Sequence, residues 1–297
     1  MPNKSSVTGE PHFESRFGTV AILGVGLIGG SLGMALKARR LAHRVVGVGR
    51  DPARLEKAVA LGVADAVTTD WPEGLGQADV VVLCTTVSHI LASLPDVLAV
   101  VKPGAVVTDV GSTKSAIVRQ AAGAPHFVGS HPMAGSEKGG VEAATPTLFQ
   151  EATWALTPTD TTDPEALERI RMLAQEVGAS TRVFTPEAHD AMVAVTSHLP
   201  HVMASAFMRH AARTRETYPD TPSLSAGSFA DMTRIAASSP DIWRDVCLSN
   251  RDAVLDALSG FRADLDVLEA AVDAGDAAAI EAFFAEGAQA KRDWGSV

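Results

Sequence analysis

A histidine held directly before a proline, His131-Pro132 within Val128–Glu137, is the side chain here best suited to proton chemistry. Proline pushes the preceding residue into extended backbone, so His131 belongs to a strand-end loop rather than to a helix interior. A neutral imidazole there can accept a proton near pH 7. Gly111-Ser112-Thr113-Lys114 follows an apolar run and opens a helical one. Ser112 or Thr113 can cap that helix, which stabilises by about 1 kcal/mol, and the role is compatible with contact to a ligand. Ser197-His198-Leu199-Pro200-His201 sets two imidazoles on neighbouring positions of one helical face. They lack a third ligand at a recognisable spacing, so contact with a substrate or packing between domains fits them better than a metal. In Asp231-Met232-Thr233-Arg234 the arginine can pair with the aspartate three residues back, as a surface charge.

A second group of residues suits a dinucleotide. The apolar run Thr19–Leu23 enters Gly24-Val25-Gly26-Leu27-Ile28-Gly29 and then a helix-forming stretch. Gly24 allows the tight turn, Gly26 lets backbone approach a pyrophosphate, and Gly29 lets helix and strand pack closely. Gly24, Gly26, Leu27, Ile28 and Gly29 are therefore expected at the cofactor, whose phosphates face the helix N-terminus. The next strand, Arg44–Val48, ends in Gly49-Arg50-Asp51. Gly49 removes the acidic group that would hold a ribose hydroxyl, and Arg50 offers a fork to a 2′-phosphate, so NADP is favoured over NAD. The alternative leaves Arg50 in solvent and places Asp51 on the ribose of NAD. Thr85 and Thr86, after the run Val80–Cys84, complete the expected cofactor residues.

The elements that must position these groups change character along the chain. From Phe17 to Phe184, short β-branched runs alternate with helical stretches. Such runs, nearly unbroken in apolar residues, imply an α/β, Rossmann-type, doubly wound and mostly parallel sheet with function at its carboxyl edge. After Thr185-Pro186, a cap followed by proline at the first helical position, the β-branched runs disappear and an all-α region follows. Pro200 is expected to kink the first of its helices. Residues 218–229 read as a loop, and about 241–260 as one continuous helix. The expected division is a disordered tail over 1–16, a dinucleotide-binding domain over 17–184 and a helical domain over 185–297.

With 46% hydrophobic and 20% charged content, the 297 residues can bury a substantial core. No stretch reads as the roughly 20 apolar residues of a membrane span, and the polar N-terminus lacks a signal-peptide core, so a soluble cytoplasmic protein is expected. Cys84 and Cys247 read as reduced core residues. A net charge of −10 argues against a nucleic-acid surface.

Taken together the segments resemble the prephenate/arogenate dehydrogenase family, over about Phe17 to Trp294. The resemblance rests on GVGLIGGSLG (24–33), DVGSTK (109–114), GSHPMAGSE (129–137), SHLPH (197–201), DMTR (231–234) and DIWRD (241–245). It implies a nucleotide-binding domain, a helical dimerisation domain and an active site in the cleft between them, in a homodimer. The implied reaction is oxidative decarboxylation of prephenate to 4-hydroxyphenylpyruvate. His131 then accepts the hydrogen bond of the ring hydroxyl, Ser112 orients that hydroxyl, and Arg234 grips a carboxylate. Glu137, Asp231, His198 and His201 match positions lining or gating the same pocket. Arogenate is the alternative substrate. Members often carry an ACT module or a fused chorismate mutase, and neither is expected here. A β-hydroxyacid dehydrogenase would need a lysine in the second half, where none stands between Lys138 and Lys291. A non-catalytic NADP-binding module offers no reason for His131, Ser112 and Arg234 to occur together.

Overall fold

The computed structural model describes residues 16–136 and 138–295. The tail expected over 1–16, save Arg16, and the candidate residue Glu137 lie outside them. Strands β1 (Thr19–Leu23), β2 (Arg44–Val48), β3 (Ala66–Thr68), β4 (Val80–Leu83), β5 (Val106–Asp109), β6 (Phe127–Pro132), β7 (Thr153–Thr157) and β8 (Ser180–Val183) form a sheet ordered β3-β2-β1-β4-β5-β6-β7-β8. Every pairing is parallel except β6 with β7.

Alternation along β1 explains the two layers of helices. Val20 and Ile22 join a core with helices α1 (Leu27–Ala38), α2 (Pro52–Ala60) and α6 (Pro164–Glu176). Ala21 and Leu23 face the opposite core, closed by α3 (Trp71–Leu75), α4 (Val87–Val100) and α5 (Ser115–Gln120). Val80–Leu83 of β4 are fully buried, as a central parallel strand requires.

The helical region holds α7 (Pro186–Val193), α8 (Leu199–Thr217), α9 (Gly227–Thr233), α10 (Pro240–Ser249), α11 (Arg251–Asp273) and α12 (Ala277–Trp294). The Thr185 hydroxyl accepts the Ala188 amide at 3.1 Å, as an N-cap before Pro186 should. Pro200 produces more than the expected kink. Without an N–H to return to the preceding turn, the helix widens into a π-helical turn over Ala194–His198 before α8 begins.

Several expectations are corrected. β3 is an additional strand, and His131 lies inside β6, paired with Ala155 of β7, rather than in a loop. The segment expected as a loop over 218–229 holds a 3₁₀ turn over Thr221–Leu224 and becomes α-helical at Gly227. The single helix expected over 241–260 is broken at Asn250 (φ −117°, ψ 36°). The continuous helical stretch Pro186–Thr217 is long and apolar enough to cross a membrane, against the expectation of no such stretch. Its polar residues His189, Asp190 and His198 are nevertheless buried, the first two in contact with β6 and α5.

Helix α1 lies so close to its neighbours that an added methyl at Gly33 would collide with the Val63 carbonyl and come within 2.8 Å of its side chain. Backbone cannot give way cheaply, so Gly33→Ala should destabilise by about 1–3 kcal/mol. Equilibrium urea unfolding measures it, and an unchanged midpoint would show that α1 can shift.

Candidate active site

The turn after β1 has the properties a pyrophosphate requires. Gly24 takes φ +100°, and a Cβ there would sit 2.8 Å from the Cys84 carbonyl and from the Thr85 side chain. A Cβ on Gly29 would strike the Gly24 carbonyl, whereas Gly26 faces open space. No side chain caps α1 and no acidic residue occupies its first turn, so the Leu27 and Ile28 end is free for an anion. The strand order reverses between β1 and β4, where open α/β sheets hold their ligands. The residues present therefore fit a nicotinamide dinucleotide.

Around the ribose position, Asp51 is engaged elsewhere. Its carboxylate caps α2 through the amides of Ala53 (3.0 Å) and Arg54 (3.4 Å) and pairs with the Arg54 guanidinium at 3.3 Å. Arg50 is exposed at the end of β2 and near His89, whose pKa falls through burial and then through the Arg50 charge. The Thr85 hydroxyl is buried beside the glycine turn without a partner among the described residues. Thr86 bonds to Ser88 at 3.1 Å, and Ser88 donates to Asp245 of α10. Asp245, which also accepts from Arg244 at 2.8 Å, ties the helical region to the start of α4 through Ser88.

A buried ion pair shapes the loop after β5. Asp109 and Lys114 are both fully buried and in contact, and Lys114 Nζ also donates to the Ser130 carbonyl at 2.7 Å. The other Asp109 oxygen accepts the Ser130 amide at 3.1 Å, and Asp109 also takes the Gly111 amide at 2.8 Å. This clamp binds the loop carrying half-buried Ser112 to β6, the strand of His131. Neither Ser112 nor Thr113 caps α5. The Lys114 and Ser115 amides instead donate to the two oxygens of Asp190, on α7, at 2.7 and 2.8 Å. Thr113 reaches across to Ser249 of α10 at 2.9 Å.

Asp190 also accepts from His189 Nδ1 at 2.9 Å, and His189 Nε2 lies 2.9 Å from His131 Nδ1. A carboxylate only accepts, so in neutral His189 the proton is on Nδ1 and Nε2 carries the lone pair. His131 must then donate from Nδ1, which leaves its own Nε2 as an acceptor. Burial pushes the His131 pKa well below its ordinary value, and charge on His189, Lys114 or His198 pushes it the same way. Burial alone would raise Asp190. The hydrogen bonds from His189, Ser115 and Lys114 outweigh it and keep the carboxyl below its ordinary range.

The helical side adds His198, His201 and Arg234. The Asn250 amide donates to the Asp190 carbonyl at 2.8 Å and lies 3.2 Å from His198 Nδ1. His201 stacks on Trp243 with ring centres 3.7 Å apart, and its Nδ1–H donates to the Ser197 carbonyl at 2.9 Å. Burial and then the Arg234 charge lower its pKa, which puts Arg234 within electrostatic reach of His201. Asp231 is exposed on α9. His131 and His198 thus join one cluster; Trp243, stacked on His201 and edge-on to His198 with ring centres 6.0 Å apart, connects His201 to it, and Arg234 lies within electrostatic reach of His201. Sequence reasoning did not single out His189, Asp190, Asn250 or Trp243. The adjacent His-Asp pair just after the Thr185-Pro186 cap was the available signal.

Asp190→Ala should cost about 2–4 kcal/mol at neutral pH, because it leaves the buried Lys114 amide, the part-buried Ser115 amide and His189 without their acceptor. The folded-state pKa of Asp190 lies below the ordinary 3.8, so its contribution is complete above that value and is lost as pH falls through the folded value. Urea unfolding of both proteins should show the gap narrowing in acid. A gap that widens in acid would contradict this assignment.

Two family models match the chain: prephenate dehydrogenase, nucleotide-binding domain, over residues 32–183, and prephenate dehydrogenase, dimerization domain, over residues 185–286. Prephenate dehydrogenase of Bacillus subtilis is 35% identical over 271 residues, which cover 90% of this chain and 73% of that protein. The crystal structure of Aquifex aeolicus prephenate dehydrogenase with hydroxyphenyl propionate and NAD+ superposes with a TM-score of 0.85 at 30% identity, covering 93% of this chain and 98% of that one. Synechocystis arogenate dehydrogenase gives 0.79 at 30% identity, covering 93% and 100%. The chain belongs to the prephenate dehydrogenase family.

Proposed function

We propose that this member of the prephenate dehydrogenase family oxidises and decarboxylates prephenate to 4-hydroxyphenylpyruvate, with His131 Nε2 as the acceptor for the ring hydroxyl. The observation that carries the assignment is the Asp190–His189–His131 relay, which turns a lone pair outward on a ring held neutral. A nicotinamide held at the glycine turn after β1 would supply the acceptor for the hydride on the carbon bearing the hydroxyl. As the hydride departs, the hydroxyl proton is shared with Nε2, and loss of CO₂ from the opposite ring carbon returns the electron pair that makes the ring aromatic. The proton then goes back to the phenol oxygen, so none is released. Aromatisation drives the reaction, and the protein chiefly positions groups.

Ser112, on the loop clamped by Asp109 and Lys114, orients the hydroxyl. Arg234 grips a carboxylate with its planar fork, and His198 and His201 line the pocket beside it. Asp231 sits at its rim, and Glu137 is assigned with it by motif alone. The structural neighbour named arogenate dehydrogenase makes arogenate the second substrate to assay. The division at residues 184 and 185 separates the cofactor domain from a helical domain. Phe207, Met232, Leu248, Val267 and Phe284 are exposed in that domain, which supports a homodimer built through it. The setting is cytoplasmic.

His131→Asn should lower kcat by about 10² to 10⁴ with cofactor affinity retained. A variant keeping more than half of the activity would remove His131 from the mechanism. Protonation abolishes the acceptor, so activity should fall as pH decreases through the His131 pKa. The depression of that pKa places the acid limb of log kcat/KM below the ordinary 6.5. A limb above 6.5 would contradict a desolvated His131.

Gly49 and Arg50 support NADP over NAD, since Asp51 is occupied as the α2 cap. A Cβ at Gly49 would lie 3.2 Å from a Leu55 methyl, a flexible neighbour, so an aspartate can be built there. Gly49→Asp with Arg50→Ile should reverse the preference in kcat/KM for the two cofactors at fixed ionic strength. Wild-type preference for NAD would return the ribose to Asp51.

A further inference from the structure

Asn250 interrupts the run from α10 into α11, and its side chain is buried. The Asp190 carbonyl can only accept, so the amide atom 2.8 Å away is the NH₂ group, and the orientation of the side chain is settled. The same nitrogen lies 3.2 Å from His198 Nδ1. An amide nitrogen has no lone pair to offer, so His198 Nδ1 accepts and the single proton of the neutral ring sits on Nε2. Burial is the main reason the ring is neutral: with charge on His189 and His201 acting the same way, it pushes the His198 pKa down to about 4 against the pull of Asp190. The ring is 1% exposed, and among the described residues nothing accepts from Nε2. Buried donors are seldom left so, which points to a ligand atom as the acceptor. His198 belongs to the cluster of His131, to which Asn250, Asp190 and His189 connect it through successive hydrogen bonds.

We propose that Asn250 is a positioning residue: it locks His198 as an Nε2–H donor, and that donor binds an oxygen of the substrate. The second half rests on the substrate assignment above. Two imidazoles in one cluster then carry opposite polarity. His131 presents a lone pair because a carboxylate stands behind its relay, and His198 presents a hydrogen because an amide stands behind it. A substrate with both a hydroxyl and carboxylates needs one acceptor and one donor, and a neutral donor orients a carboxylate without adding a cation.

Nitrogen-15 shifts of the imidazoles in the ligand-free, full-length protein decide the first half, with Nε2 of His198 expected to be protonated. A proton on Nδ1 would overturn it whether or not any variant folds. Asn250→Asp replaces the donor with an acceptor and should move the proton to Nδ1. The prephenate KM should then rise about tenfold or more, with kcat changed less than about threefold. In a His198→Gln background, where the amide donates with no tautomer to set, the same change should add less than about twofold in KM. An equal rise in both backgrounds, or an unchanged KM in the first, would overturn the positioning role. Wild-type protein inert towards prephenate would defeat the substrate half, while the nitrogen shifts would still decide the donor.

Discussion

A single carboxylate holds the sheet region, the helical region and His131 in one geometry. Asp190 offers its two oxygens to the first amides of α5 and one of them also to His189, while its carbonyl receives Asn250. A helix N-terminus and a buried imidazole both call for negative charge, and one ionised side chain satisfies both. Its desolvation would be prohibitive with fewer donors. The polarity of the site follows from it, because the direction of every proton between His189 and His131 is set by an acceptor that cannot donate.

The Asp109–Lys114 pair is the complementary constraint on the sheet side. Both groups are fully buried, an arrangement that contributes little net stability, yet losing one partner would strand the other at a cost of about 3–5 kcal/mol. Burial is also the main reason the Lys114 pKa is lowered, with Asp109 opposing it. The benefit is positional. The pair reaches the amide and the carbonyl of Ser130, and so joins the loop after β5 to the strand that carries His131.

What the sequence revealed depended on whether the determining contacts were local. The turn from Gly24 to Gly29 and the run Val80–Leu83 were legible, because a tight turn and a strand buried on both faces leave their cause in neighbouring residues. β3 was missed because three residues at a sheet edge leave no apolar run. His131 was correctly read as extended, but the pairing of β6 with β7 that makes it a strand residue lies in another segment. The cap of α5 was sought among adjacent hydroxyls, whereas it comes from Asp190, 76 residues away from the Lys114 amide it accepts. Asn250 sat within an apolar stripe, which conceals a break whose cause is a side-chain contact with Asp190 and His198.

The widened turn at Ala194–His198 changes how residues on either side of it should be counted. A regular helix advances about 100° per residue, so the eight steps from Asp190 to His198 would leave the two about 80° out of phase. Accommodating one extra residue in a π-helical turn takes back about 100°, which returns His198 to within about 20° of the Asp190 face. That phase correction lets one asparagine side chain reach both. Helical wheels drawn straight through this segment are therefore rotated after residue 194, and a one-residue insertion or deletion there would act as an angular displacement of His198 rather than as a change in loop length.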